Sequence, residues 1–469
     1  MKKNLCALLA LVLIVSLAFP LTAGAVTEDA QNQSYSCYSL DATESVLGPS
    51  LITDNADSVV IYELNSNTMM YTLNPDEVIE PASLVKIMTC LIAVEKGNMA
   101  DAVTIRAETI ASIPEDAANV ELKPDEVLTL EQLMYCMMIS SANDAAAVIA
   151  EHIAGSQEQF VAMMNEYAEA LGCTNTHFTN VHGLYDVNQF STARDLARIL
   201  MVATQNELFN TFFGAEYYEL EPTNKSKVRY LLTSNYLLSK EDVEIYYDER
   251  VLGGRTGITR NYDRSLAVSA EAGNMRLLCV LTGAASKISS NGYSVSVFGG
   301  YQEVSMMLDA CFNEYHVAQV VFDGQIVTQQ PVDNGDCDVI LGARATGLAV
   351  VPMSTKISDL TYSLTSRESL VAPIEKGQPI SAVDIWHNNV CVAQAQLYAM
   401  NDVNVQQDIT DKPIVQDISG NGGNGWIILL VISVLFAIVF FVPRIMKRVR
   451  RQKFIKHVRR NQHYRGKSR

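Results

Sequence analysis

Three short groups of residues could do chemistry together, and they stand in order along the chain. Ser83-Leu84-Val85-Lys86 offers a hydroxyl and an amine three residues apart. Ser141-Ala142-Asn143 adds a second hydroxyl and a carboxamide, and Arg255-Thr256-Gly257 a cation beside a hydroxyl and a glycine. Residues three apart share one face of a helix. A lysine in that position can take the serine's proton only if desolvation or nearby positive charge keeps the amine neutral. The set suits acyl transfer onto serine from a peptide that ends in a free carboxylate. Each group alone recurs by chance, and Ser289-Ser290-Asn291 repeats the second pattern after the third has passed, so order and surroundings carry the inference.

The elements that would position these residues are legible. Pro81 and Ala82 introduce Ser83, and the stretch from Leu84 to Val94 is apolar nearly all round until Glu95-Lys96-Gly97-Asn98, which predicts a helix buried at the centre of a domain. At its start the Ser83 N–H is free of intrahelical bonding and can face a developing oxyanion. Burial supplies the desolvation that Lys86 needs, and Arg255 can supply the positive charge. A solvated Ser with a snorkelling Lys has the same spacing. Thr129 and Gln132 form a capping box for a helix through Met138, and a further helix begins at Asp144, so Ser141 and Asn143 occupy a junction. There they either point into a cleft or simply cap helix ends. Gly253-Gly254-Arg255-Thr256-Gly257 predicts an edge strand along which an extended peptide can lie, with Arg255 and Thr256 holding its carboxylate. A glycine turn with a solvated Arg fits the same residues.

Around these motifs, Ser58–Leu64 and Met69–Leu73 flank a polar turn and read as a hairpin, as do Ser265–Glu271 and Arg276–Leu281. Helical stretches fill the interval. The fold class is therefore α/β in the α+β sense, an antiparallel sheet with a helical cluster over residues 51–316. Residues 317–404 carry short β-prone runs, Val320–Phe322, Cys337–Leu341, Gly347–Val351, Leu360–Leu364 and Val390–Gln394, which predict a small all-β sandwich.

The termini indicate where the chain resides. Lys2 and Lys3, an apolar run to Leu21 and Ala23-Gly24-Ala25 have the form of a signal peptide over 1–25, with an uncleaved anchor as the alternative. Residues 26–50 then lead into the first domain. At the other end, the Gly/Asn-bearing linker 405–425 precedes Trp426–Val442, 17 residues without a charge, the lower limit for a transmembrane helix. From Arg444 onward there are 12 Lys or Arg and no Asp or Glu, so the tail 443–469 is expected in the cytoplasm and the preceding domains outside the cell membrane. Residues 26–425 hold 21 basic and 52 acidic residues, net −31, which argues against nucleic-acid binding. Eight cysteines remain after Cys6 leaves with the signal peptide. That number permits disulfides, but Cys90, Cys136, Cys279 and Cys311 lie in apolar stretches where buried free thiols are equally natural. No CxxC pair or Cys/His ligand spacing is present, so no metal is assigned.

The motif set resembles that of the penicillin-recognising serine acyl-enzymes. Glu80–Thr89, Asn180-Val181-His182-Gly183-Leu184 and Ser191–Ala197 are similar to the low-molecular-mass D-alanyl-D-alanine carboxypeptidases, and the likeness runs from about residue 50 to 405. It implies a penicillin-binding-protein/β-lactamase-like catalytic domain followed by a β-rich domain. It implies that Ser83 is acylated by the penultimate D-Ala carbonyl of a peptidoglycan stem peptide, with release of the terminal D-Ala and hydrolysis by water. Lys86 would be the base, Ser141 the proton relay and Asn143 a substrate contact. Arg255, Thr256 and Gly257 would form the carboxylate-binding strand, and the N–H groups of Ser83 and Ile258 the oxyanion hole. β-Lactams would be covalent inhibitors, and no cofactor is implied. His182 and the Ser191–Asp195 segment read as structural. Two features depart from the family pattern: Arg255 stands where the family usually has Lys, and an apparent true span replaces its amphipathic C-terminal helix. Arg255 keeps alive a catalytically silent peptidoglycan receptor. A DD-endopeptidase and a β-lactamase are lesser alternatives; for the last, Glu221 is the only loosely suggestive water-activating carboxylate between the second and third motifs.

Overall fold

A computed structural model of the chain describes residues 39–42, 45–47, 55–240, 244–288, 295–365 and 369–406. The expected signal peptide, most of the segment 26–50, residues 407–425, the expected span Trp426–Val442 and the basic tail lie outside the described residues. Among the described residues, no helix is long and apolar enough to cross a membrane.

Five strands make the central antiparallel sheet: β1 (Ser58–Glu63), β2 (Thr68–Leu73), β3 (Val251–Ile258), β4 (Arg264–Ala272) and β5 (Met275–Ala284), in spatial order β2-β1-β5-β4-β3. Strand residues alternate between faces, and here both faces are buried. Val60, Tyr62, Ala267, Leu278 and Val280 pack into one core, while Val59, Ile61, Leu266, Val268, Cys279 and Leu281 pack into another. The expected hairpins are β1–β2 and β4–β5, and β3 pairs along β4 as the sheet edge. Glu63, fully buried, holds the first turn by accepting from Ser66 N at 2.6 Å, and it also accepts from Arg276 N at 2.9 Å.

The first core is filled by helices α1 (Val85–Lys96), α2 (Leu130–Ser140), α3 (Asn143–Ala154) and α4 (Ala193–Ala203). Every residue of α1 from Val85 to Ala93 is buried, as its all-round apolar sequence requires. The capping box on α2 is present in both directions, Thr129 Oγ1 accepting from Gln132 N at 3.1 Å and Gln132 Oε1 from Thr129 N at 2.8 Å. Thr192 caps α4 by accepting from Asp195 N, but the Asp195 carboxylate turns away to accept from Asn175 N and Thr176 Oγ1 at 2.9 and 2.8 Å. The second core lies between the other face of the sheet and α5 (Tyr301–Glu314), which buries Tyr301, Val304, Met307, Leu308 and Cys311.

Beyond α5 come strands β6 (Tyr315–Val321), β7 (Ile326–Gln330), β8 (Val339–Ala343), β9 (Gly347–Pro352), β10 (Thr361–Leu364), β11 (Pro379–His387) and β12 (Val390–Ala399). They form a five-stranded sheet, β7-β8-β12-β11-β10, and the pair β6–β9. Val320, Val321, Ala349 and Val351 of the pair share one core with Leu341, Ile385 and Leu397 of the larger sheet. β7 and β11 had no counterpart among the sequence-predicted runs: β7 is polar and partly exposed, and β11 opens on a proline, a residue tolerated at a strand's first position. Cys90, Cys136, Cys173, Cys279 and Cys311 are buried free thiols.

Candidate active site

Ser83 lies in a single 3₁₀ turn, Ala82–Leu84, that feeds directly into α1. Ala82 adopts φ +47°, a left-handed conformation that costs an L-residue about 1–2 kcal/mol. Two glycine backbones press on the turn. At Gly183, with φ +87°, an added Cβ would sit 1.9 Å from Ala82 O, and at Gly257 it would sit 3.2 Å from Ser83 N. A side chain at 183 would collide with the Ala82 backbone, and one at 257 would press tightly on the serine's turn.

Lys86, in the first turn of α1 and three residues after Ser83, is fully buried. Its Nζ lies 3.4 Å from Ser83 Oγ and donates to Asn143 Oδ1 at 2.7 Å and to the His182 carbonyl oxygen. A neutral amine has two N–H donors and one lone pair. In that neutral form Asn143 Oδ1 and the His182 carbonyl oxygen would take both donors and leave the lone pair for the Ser83 hydroxyl. Burial holds the Lys86 ammonium well below its ordinary pKa, the positive charge of Arg255 lowers it further, and Asp144 opposes the shift. The His182 side chain is mostly buried; burial, with Lys86 nearby, lowers its pKa to about 3, so the ring is neutral, and its Nδ1 accepts from Leu184 N at 3.2 Å. The sequence treated His182 as a turn residue. Its main-chain oxygen, which no side-chain motif reports, is what reaches the site.

Ser141 ends α2 in a left-handed conformation, φ +57°, with its Oγ 3.1 Å from Ser83 Oγ. Asn143 begins α3, is 4% exposed, and has its Oδ1 engaged by Lys86, so its Nδ2 is the group able to donate to an incoming carbonyl. Next to it, buried Asp144 accepts from Val120 N, Leu122 N and Ala145 N at 2.9–3.3 Å, and Asn143 N donates to Ala118 O at 2.8 Å. These bonds hold the 116–122 loop against the junction, and Asp116, Ala117 and Ala118 of that loop line one wall of the cleft. Burial raises the Asp144 pKa, and the backbone bonds pull it down.

Ser83 opens into a cleft of about 650 Å³ whose lining includes Ser141, Asn143, Thr256, Gly257 and Ile258. Of the six residues singled out besides Ser83 and Lys86, five line this cleft, and Arg255 is the one that takes a different position. It pairs with Ala267 of the first core, whereas Thr256 pairs with Leu266 of the second, so the two side chains expected to share a carboxylate lie on opposite faces of β3. Arg255 is 2% exposed, its Nη1 donates to Met138 O at 2.7 Å, and burial lowers its pKa to about 10. Glu221 is exposed and does not line the cleft. Sequence reasoning missed Ser234, Tyr236, Arg260 and Arg264, all of which line it. The available signal was register: a hairpin closing after Ile258 returns Arg264 opposite that residue. Among the described residues, no group of three or more His, Cys, Asp or Glu side chains is placed to hold a metal ion.

Comparison with known proteins gives consistent matches. Residues 45–286 match the D-alanyl-D-alanine carboxypeptidase family profile, and residues 315–405 match the penicillin-binding protein 5, C-terminal domain profile. The chain is 30% identical over 374 residues to the D-alanyl-D-alanine carboxypeptidase DacC of Escherichia coli, covering 77% of this chain and 87% of that protein. It is 28% identical over 357 residues to DacF of Bacillus subtilis, named as the same activity, covering 75% and 87%. The crystal structure of penicillin binding protein 5 from Haemophilus influenzae superposes with a TM-score of 0.63 at 29% identity, over 75% of this chain and 98% of that one.

Proposed function

The chain belongs to the serine-type D-alanyl-D-alanine carboxypeptidase family, and from that membership we propose that Ser83 is the residue acylated when the enzyme trims a peptidoglycan stem pentapeptide. Ser83 Oγ attacks the penultimate D-Ala carbonyl carbon while its proton passes to Lys86 Nζ. The tetrahedral oxyanion is held by the N–H groups of Ser83 and Ile258. As the C–N bond breaks, the proton reaches the departing D-Ala amine through Ser141. Water then attacks the ester carbon, Lys86 takes the water's proton and returns it to Ser83 Oγ as the acyl–oxygen bond breaks, and the shortened peptide leaves. Asn143 Nδ2 donates to a substrate carbonyl, and Gly257 lets the peptide lie along β3. Arg255 acts from beneath, its charge helping to keep Lys86 neutral.

The observation that carries this reading is the placement of Ser83 Oγ within reach of both Lys86 Nζ at 3.4 Å and Ser141 Oγ at 3.1 Å, on the wall of an open cleft. Mass spectrometry of the extracytoplasmic portion mixed with a synthetic stem pentapeptide is expected to show loss of one alanine and a transient peptidyl adduct on Ser83. Binding of the peptide with neither adduct nor alanine release would instead favour a silent receptor. A penicillin presents a strained amide next to a carboxylate and is expected to acylate the same oxygen.

The same proposal extends to topology, supported by the 17 uncharged residues of Trp426–Val442 and the 12 basic residues that follow. Protease added outside intact cells should leave the tail protected, and truncation after about residue 420 should release an active soluble protein. Digestion of the tail by external protease would reverse the orientation.

A further inference from the structure

Arg264 opens β4 opposite Ile258, on the same face of the sheet as Thr256, and both side chains line the cleft. It is 7% exposed, and among the described residues no carboxylate pairs with it. Its Nη1 donates to Tyr301 Oη at 3.1 Å, its Nε has no partner, and the rings of Phe298 and Tyr301 lie 5.4 and 5.1 Å from its Cζ. Tyr301 Oη in turn donates to Ser234 O at 2.9 Å, and Ser234 Oγ lies 3.2 Å from Thr256 Oγ1. A cation at the mouth of β3 is thus held in place by a tyrosine and left without a counter-ion, next to two hydroxyls.

Leaving a buried charge unpaired is costly, and a site that tolerates it gains when an anion arrives. The other cleft cation does not fit this description: Arg260 has a side chain 59% exposed, pairs with Glu80 at 3.3 Å and stacks on Tyr185 with its Cζ 3.6 Å from the ring centre. Arg255 is excluded by its face of β3. We propose that Arg264, with the Thr256 and Ser234 hydroxyls, binds the terminal carboxylate of the substrate, while Arg255 serves the lysine beneath. The assignment rests on the carboxypeptidase reading, which supplies a substrate with that carboxylate. A guanidinium fork and a hydroxyl together match the two oxygens of a carboxylate.

The test compares a stem pentapeptide ending in a free carboxylate with the same peptide capped as its C-terminal amide, in native enzyme and in the Arg264→Gln, Arg264→Lys and Arg255→Gln variants. Native enzyme should prefer the free carboxylate by about 10- to 100-fold in kcat/KM, the worth of one charged hydrogen-bonded contact. Arg264→Gln should bring that ratio to within about 3-fold, mostly through KM, while its turnover of the capped peptide stays near native and reports an intact fold. Arg264→Lys should keep most of the ratio because the charge remains. Arg255→Gln should slow both peptides together and leave the ratio unchanged. An Arg264→Gln enzyme that keeps the native ratio, or an Arg255→Gln enzyme that loses it, overturns the proposal. If Arg264→Gln loses both peptides equally, Arg264→Lys decides: most of the native ratio retained there supports the proposal, and a ratio near one overturns it. Native enzyme that is acylated by neither peptide would instead sink the carboxypeptidase reading itself, and this assignment with it.

Discussion

Ser83→Ala is expected to abolish covalent capture of a labelled penicillin and to reduce D-Ala release by a factor on the order of 10⁵ to 10⁶, the scale seen when an activated nucleophile is deleted from an enzyme that works through it. The reason is local. Ser83 Oγ is approached both by the Lys86 amine, 3.4 Å away, and by the Ser141 hydroxyl, 3.1 Å away. Alanine removes one partly exposed oxygen and little packing, so the unfolding transition should move by no more than about 1 kcal/mol. Intact-mass spectrometry after penicillin treatment, together with a denaturation curve, makes the measurement. Undiminished labelling of a folded Ser83→Ala protein would move the nucleophile elsewhere.

The second large effect falls on Lys86. Replacing it with Met should lower kcat/KM by about 10²- to 10⁴-fold, the usual worth of a positioned general base. Its pH dependence is more diagnostic than its size. Lys86 acts as a base only when neutral, and burial and Arg255 both push its pKa down. Activity should therefore rise with pH as the ammonium loses its proton, and the acidic limb of kcat/KM should report that group. Arg255→Gln removes the neighbouring positive charge, which makes the ammonium easier to keep, so the Lys86 pKa rises and the acidic limb shifts to higher pH. At neutral pH the variant is slower because less of its Lys86 is neutral. An acidic limb that stays in place, or moves to lower pH, would show that Arg255 does not govern the lysine.

These two residues mark how far the sequence reaches by itself. The spacing of Ser83 and Lys86, the all-round apolar run of α1, the capping box at Thr129 and Gln132, and the two hairpins were all local patterns. Each is decided by residues within a few positions of one another, and each is present. The ordered motifs, together with the family resemblance they carry, likewise sufficed to specify a serine acyl-enzyme on an antiparallel sheet with a β domain behind it.

Only tertiary structure decided which groups share the cleft. The strand expected over 253–257 already puts the neighbours Arg255 and Thr256 on opposite faces, but only packing decides that the first reaches Met138 O, 117 residues away, and the second faces Ser234. Lys86 finds its acceptors 57 and 96 residues downstream, at Asn143 and the His182 carbonyl. Arg264 carries no motif, and only β3–β4 register and the Tyr301 hydroxyl from α5 bring it to the mouth of the site. Helix period and capping are properties of short segments and can be read from them. Whether a buried cation finds a carbonyl, another cation or an empty cleft depends on how separate segments stack, because the electrostatics of a buried group are set by whatever lies within a few ångströms of it in space.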